Sequence, residues 1–345
     1  MKLLSVQDLA EIVRVHGFEN FLKDLMNFIK EDFLRWNEFD KSSRYAAHVP
    51  DGVIELMPVA DKKTFTCKYV NGHPMNPLEG KQTIVAVGLM SDVHDGFPIL
   101  ISEMTTLTAL RTSATSMMAT DFLARKNSSV LALIGTGAQS EFQALGHRLV
   151  RPITTIRFYD VDPKAMEKFE KNILGRGFEL IPCASAQEAC EGADIITVCT
   201  ACKKQAVVVE SSWVREGTHI NGLGGDCPGK TELEKDLLYR GKVYVEYKPQ
   251  SMIEGEIQQL APEEVDRVVY AELWELINGT KKGRESESEI TIFDSVGFAI
   301  EDFSALRLSY DLAQRYGIGQ EASLIPEICD PKNLFSVVNF DKTST

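Results

Sequence analysis

The sequence has 345 residues, 44% hydrophobic and 25% charged, which suits a soluble protein of two globular domains rather than one small core. A net charge of −13 argues against general nucleic-acid or anionic-membrane binding, since either requires a basic face. No apolar run reaches the ~18 residues of a membrane-spanning helix.

The N-terminal run MKLLSVQDLAEIV carries an acid inside its apolar stretch and no small-residue cleavage site, so it reads as a helix start and not a signal peptide. Seven cysteines at scattered spacing fit reduced thiols in the cytoplasm. Ser5 is a candidate N-cap, with Leu9, Ile12 and Val13 on one helical face. Phe21, Leu25, Phe28, Ile29 and Phe33 predict a second helix between Phe18 and Phe39.

From Ser42 to Met104 the apolar period shortens toward two. Strands are expected at Val53–Val59, Thr64–Val70, Thr83–Ser91 and Phe97–Ser102, with Asp95-Gly96 as a hairpin turn, giving an antiparallel sheet. Arg44, Glu55 and Lys68 interrupt this pattern, and each taken singly reads as the solvated side of a strand. A helix follows over Thr106–Arg125. Its Arg111 stands among small residues and either reaches a ligand or lies at the surface.

The stretch Val130–Asp160 is the most informative. An apolar strand, Val130–Ile134, runs into Gly135-Thr136-Gly137. A helix with Phe142, Leu145 and Leu149 on one face follows, then a strand, Ile153–Tyr159, ending at Asp160. This βαβ order suits a dinucleotide. Gly135 permits the tight turn, and Gly137 lets a pyrophosphate approach the backbone at a helix N-terminus. Asp160, 25 residues after Gly135, can accept from ribose hydroxyls and repel a 2′-phosphate, which favours NAD over NADP. Ser140 stands where a third glycine is usual; it is small enough for close packing.

Further helices and strands alternate at Lys164–Leu174, Phe178–Ile181, Ser185–Glu191, Asp194–Cys199, His219–Leu223, a helix from Leu233, and Lys242–Glu246. That alternation predicts a doubly wound parallel sheet, with Thr200 and Asp226 at strand ends facing the same crevice as Gly135. Cys199 and Cys202 form a CxxC with no second pair, so strand-end packing is preferred to zinc and no metal site is expected. Gly279–Glu289 is a polar loop, followed by a strand at Ile290–Phe293 and a last amphipathic helix, Phe298–Gln314, able to return to the first domain.

Two blocks, GGDCPGKTEL from Gly224 to Leu233 and FDSVGFA from Phe293 to Ala299, together with GVIELMPVAD, KYVNGHP, ALRTSATS, GTGAQSEFQA and IEGEIQQL, resemble the ornithine cyclodeaminase/mu-crystallin family, most of all its bacterial ornithine cyclodeaminase branch. The resemblance spans nearly the whole chain, and GAQSEFQ is similar to the family's own form of the glycine motif. It implies an α/β fold: a Rossmann-like doubly wound parallel sheet inserted in an α+β substrate-binding and dimerisation domain with an antiparallel sheet. The implied division is 1–126 with 298–345 for the substrate domain and 127–297 for the NAD domain. It also implies roles. Arg44, Lys68 and Arg111 would hold a substrate carboxylate. Asp226 would be the acid/base near the side-chain amine, with Glu55 and Val296 as further substrate contacts. Thr83, Arg111, Gly135, Gly137, Ala138, Gln139, Asp160, Thr200, Leu223, Gly224, Gly225, Asp226, Lys230 and Ser295 would contact NAD. The implied activity is conversion of L-ornithine to L-proline and ammonia by internal hydride transfer, in a homodimer or larger homo-oligomer. The alternatives on the same scaffold are an amino-acid dehydrogenase or cyclic ketimine reductase, and a non-catalytic crystallin-like binder.

Overall fold

In the computed structural model, residues 1–50, 52–201, 206–225 and 227–338 are described. Two eight-stranded sheets organise them. The first sheet begins with β1 (Lys2–Leu4), followed by helices α1 (Val6–His16) and α2 (Phe18–Leu34), then β2 (Asp40–Lys41), β3 (Tyr45–Val49), β4 (Gly52–Ala60), β5 (Thr64–Gly72), β6 (Ile84–Asp92) and β7 (Pro98–Glu103). Ser5 caps α1: its hydroxyl accepts from the backbone N–H of Asp8, and Asp8 accepts in return from Ser5 N–H.

Two expectations need correction. The first residues form a strand before the helix, because Lys2–Leu4 pairs in parallel with Leu100–Ser102. The sheet is therefore mixed at that edge and antiparallel from β7 through β4. The second helix stops at Leu34 and not Phe39, giving way to a tighter turn at Trp36–Glu38. There Trp36 stacks on Phe33 and Trp274, and burying that ring outweighs continuing the helix.

Helix α3 (Thr105–Leu123) runs between the sheets, touching β6 on one side and strands of the second sheet on the other. It is buried on nearly every face, which explains its small residues (Ala109, Ser113, Ala114, Ser116, Ala119) and its lack of a polar stripe.

The second sheet is built from β8 (Val130–Ile134), α4 (Ser140–Val150), β9 (Thr155–Tyr159), α5 (Pro163–Ile173), β10 (Glu179–Pro182), α6 (Ala186–Cys190), β11 (Ile195–Val198), β12 (His219–Gly222), α7 (Lys235–Arg240), β13 (Lys242–Val245), α8 (Lys248–Ser251), α9 (Pro262–Val268), β14 (Val269–Glu272), α10 (Leu273–Ile277) and β15 (Thr291–Asp294). All its pairings are parallel, in the order β10-β9-β8-β11-β12-β15-β13-β14. The chain winds outward from β8 to β10, then returns to β11 on the other side of β8. The carboxyl ends of β8 and β11 thus flank the switch point where such sheets bind ligands. Strand β14 and helices α9 and α10 extend the predicted alternation.

Helix α11 (Ala299–Tyr316) leaves the second sheet and packs against α1, α2, α3 and strands β4 to β6, before β16 (Gln320–Glu321) pairs with β1. The largest core cluster joins α1, α2, α3 and α11, and it also takes in Leu273, Leu276 and Ile277 of α10.

Candidate functional site

Alternation in β4 and β5 decides which side chains enter the space under the first sheet. Lys68 lies opposite Met57 and Gly88 on the inner face, while Tyr69 beside it faces out. Glu55 is on the same inner face and is buried. The solvated-strand reading of Arg44, Glu55 and Lys68 is therefore wrong: the Lys68 side chain is 1% exposed and those of Arg44 and Glu55 6% each. Arg111, in the second turn of α3, is also buried, so it is no surface arginine.

These cations converge on the segment between β15 and the first turn of α11. Arg44 donates from Nη2 to the carbonyls of Val296 and Gly297, each at 2.6 Å, and from Nη1 to Glu55 at 3.1 Å; Glu254 lies 3.5 Å away. Arg111 donates from Nη1 to Glu301 at 2.7 Å, and its Nε is 3.2 Å from Asp302. Lys68 Nζ is 2.8 Å from both carboxylate oxygens of Asp302. Burial pulls the Lys68 ammonium down to about 8, opposed by Asp302 and assisted by repulsion from Arg111 and Arg44. Burial pushes the Glu301 carboxyl well above the usual carboxylate range, against the pull of Arg111.

Glu246, just past β13, fixes the same segment. It accepts from Ser295 Oγ at 2.5 Å and from the N–H groups of Val296 and Gly297 at 3.0 and 3.2 Å. Ser295 and Val296 are held from beneath and are buried.

At the switch point, Gly135 has φ +94°, and an added Cβ would lie 2.8 Å from the Cys199 carbonyl, so only glycine fits. Gly137 faces open space, and it and Ala138 are exposed ahead of α4. Gln139 precedes the helix and leaves its Oε1 buried without a hydrogen-bond partner. Asp160 directly follows β9 and accepts from Thr136 N–H at 2.7 Å and Asp162 N–H at 2.9 Å, which sets its carboxylate against the glycine turn. An open glycine turn, a helix N-terminus and an acid at the neighbouring strand end are together the cradle a dinucleotide needs.

Thr200, after β11, donates to Glu232, and its carbonyl accepts from Lys230 at 3.1 Å. Leu223, Gly224 and Gly225 follow β12. Gly225 O accepts from Gly255 N–H at 2.5 Å, and Glu256 accepts from the N–H groups of Glu232 and Leu233, both at 2.9 Å. Asp294 accepts in turn from Glu256 and Ile257 N–H groups. Burial pushes Asp294 up to about 7 and Glu256 well above its ordinary range. Asp226 lies outside the described residues, as does Cys202. Cys199 Sγ contacts the Gly135 carbonyl, and burial pushes its thiol far up. Thr83, just before β6, is half-buried, and its carbonyl accepts from His73 N–H.

The structure thus brings Arg44, Glu55, Lys68, Arg111, Ser295 and Val296 into one cluster. It places Gly135, Gly137, Ala138, Gln139, Asp160, Thr200 and Leu223 to Gly225 at strand ends of the parallel sheet. Sequence reasoning missed Glu246, Glu254, Glu301 and Asp302. One signal was available: three cations inside a core demand anions, and an acidic pair in the apolar run FAIEDFSAL is where to seek them.

A profile of the ornithine cyclodeaminase/mu-crystallin family matches residues 5–316. The ornithine cyclodeaminase of Agrobacterium fabrum is 50% identical over 335 residues, which is 97% of this chain and 94% of that protein. Among solved structures, a lysine cyclodeaminase described as recognising L-lysine, L-ornithine and L-2,4-diaminobutyric acid superposes with a TM-score of 0.90 at 29% identity, covering 97% of this chain and 98% of that one. An archaeal alanine dehydrogenase dimer with bound NAD superposes with a TM-score of 0.86 at 33% identity, covering 94% and 99%.

Proposed function

The chain belongs to the ornithine cyclodeaminase/mu-crystallin family, and from that premise we propose that it is an NAD-dependent ornithine cyclodeaminase, converting L-ornithine to L-proline and ammonia. The observation that carries this reading is the convergence of Arg44, Lys68 and Arg111, three cations with buried side chains from three separate stretches of the chain, beside the strand ends of a dinucleotide-type sheet.

Arg44, Lys68 and Arg111 take the α-carboxylate of the substrate, with two guanidinium forks and one ammonium setting its orientation. Glu55, with one oxygen on Arg44 and the other buried without a hydrogen bond, is placed to meet a cationic group, and Val296 lines the same space. Asp226 takes the proton that the δ-ammonium must lose before it can close the ring. Gly135, Gly137, Ala138 and Gln139 receive the pyrophosphate, and Asp160 the adenosine ribose. Thr83, Arg111, Thr200, Leu223, Gly224, Gly225, Asp226, Lys230 and Ser295 line the remainder of the cofactor site. Bound NAD supplies hydride acceptance from Cα and its return to the cyclic imine, so it is regenerated in each turnover.

In this reading, residues 1–126 with 298–345 form the substrate and dimerisation domain, and 127–297 hold NAD. Two copies pair through the outer face of the first sheet. Tyr45, Leu56, Tyr69 and Val87 are in register across four strands there and are 41 to 69% exposed. Cys67, Cys183, Cys190, Cys199 and Cys329 are free thiols, which supports a reducing, cytoplasmic setting.

The test is product identification after incubating the protein with L-ornithine and sub-stoichiometric NAD. Proline and ammonia in excess of the NAD added are expected. Steady growth of NADH with substrate would instead make the protein a net dehydrogenase.

A further inference from the structure

Three cations in one buried space repel each other, and the first turn of α11 supplies the answer. Asp302 presents both carboxylate oxygens to Lys68 Nζ at 2.8 Å and one of them to Arg111 Nε at 3.2 Å. Glu301 grips the far side of the same guanidinium at 2.7 Å. Both acids are at most 1% exposed. We propose that Asp302 is the positioning residue of the carboxylate clamp, bridging Lys68 and Arg111 so that Lys68 remains charged and both are correctly spaced to receive the substrate. The inference rests on the amino-acid reading above and names a residue which that reading does not use.

Asp302 joins two of the three cations that converge here, from β5 and α3, so its charge sets the spacing of both. The groups facing Lys68 are Asp302 and Glu301 on α11, Arg111 on α3, Arg44 ahead of β3, and Glu55 on the inner face of β4; β6 offers Gly88 opposite it. Once Asp302 loses its charge, burial and repulsion from Arg111 and Arg44 remain, so Lys68 gives up its proton at lower pH. Substrate capture then fails earlier as pH rises.

The experiment compares wild type, Asp302→Asn and Asp302→Glu. Calorimetry of L-proline binding to the NAD-saturated protein across pH gives the affinity, and steady-state kinetics give KM and kcat. For Asp302→Asn the alkaline limb of proline binding should move down by about one pH unit or more, a roughly fivefold or larger loss near pH 8. KM should rise in parallel while kcat changes less than about threefold, because the clamp acts on ground and transition states alike. Asp302→Glu should keep the limb within about half a unit yet bind proline roughly three- to tenfold more weakly, since the charge stays and the spacing shifts. Titration of side-chain-labelled lysine by NMR reads Lys68 without any ligand and should show the same downward move in Asp302→Asn. A folded Asn variant with an unmoved limb and unmoved Lys68 titration would overturn the proposal, as would a Glu variant with wild-type affinity should the Asn variant not fold. Absence of proline binding and turnover in wild type would overturn the ornithine reading instead, and the lysine titration would still decide the role of Asp302.

Discussion

Gly297 offers a sharp perturbation of the clamp. Its φ is +78°, and a Cβ built there lies 2.7 and 2.8 Å from the two terminal nitrogens of Arg111. Alanine therefore brings two costs. An L-residue at positive φ costs roughly 1–2 kcal/mol of stability. The methyl group also displaces a guanidinium that is pinned by Glu301 and Asp302, so relief breaks at least one charge-assisted bond, each worth about 1.5–3 kcal/mol. The second cost falls on substrate binding and corresponds to a roughly 10- to 150-fold loss in kcat/KM. Gly279 supplies the control: its φ is +79°, and nothing lies within 4 Å of its added Cβ. Gly279→Ala pays the backbone strain alone. The assay measures melting temperature and kcat/KM for both variants. Gly297→Ala should lose more stability than Gly279→Ala, because the broken Arg111 bond adds to the strain, and only Gly297→Ala should lose activity in its folded fraction. Near-normal kinetics in a folded Gly297→Ala protein would refute the placement of Arg111 in the substrate site.

Asp160→Ser should raise NADP affinity by about tenfold or more by removing repulsion of the 2′-phosphate, read by titration of both nucleotides; comparable affinities in wild type would contradict it. His147 is fully buried, with Thr120 Oγ1 3.1 Å from Nδ1 and Thr197 Oγ1 3.0 Å from Nε2, and burial pulls its imidazole down to about 3. The unfolded chain binds its proton first, so this contribution is intact above the ordinary histidine range and is lost as pH falls. The stability gap between wild type and His147→Gln should shrink by about 2 kcal/mol from pH 8 to pH 5, measured by denaturant unfolding; a constant gap would count against the buried neutral ring. Tyr69→Lys puts a charge at the centre of the exposed row on the first sheet and should give monomers by sedimentation; an undiminished dimer would move the interface elsewhere.

The parallel sheet was legible because its signals are local. Val130–Ile134 is apolar and bounded by glycine, and its observed limits coincide with those expected. Ser5 announces its helix by capping chemistry that needs no tertiary knowledge. Lys2–Leu4 carried no such signal. Three residues become a strand only because Leu100–Ser102 offers an edge nearly a hundred positions away. Trp36 likewise ends a helix through partners at Trp274 and Phe298, and no window around it holds them.

The site divides in the same way. Gly135 and Asp160 are tied by one βαβ unit, so spacing alone finds them. Arg44, Lys68 and Arg111 lie on three separate stretches of the chain; taken singly, Arg44 and Lys68 read as surface charges and Arg111 as either a surface arginine or one that reaches a ligand. Only the resemblance grouped them. The acids that answer them were missed for a physical reason. Glu246, Glu301 and Asp302 sit in apolar stretches where a carboxylate reads as a helix or strand end facing water, and they are fully buried. A buried cation is tolerated only when an anion is brought to it. Here one chain segment brings most of them: from Asp294 to Asp302 it leaves the parallel sheet, accepts from Arg44 through two backbone carbonyls, and starts α11 with the acids that hold Arg111 and Lys68. The same segment carries Ser295 beside the strand ends of the cofactor-type sheet. Displacing it would move the proposed cofactor contact and the proposed carboxylate clamp together, which is the coupling that a hydride transfer between NAD and Cα would require.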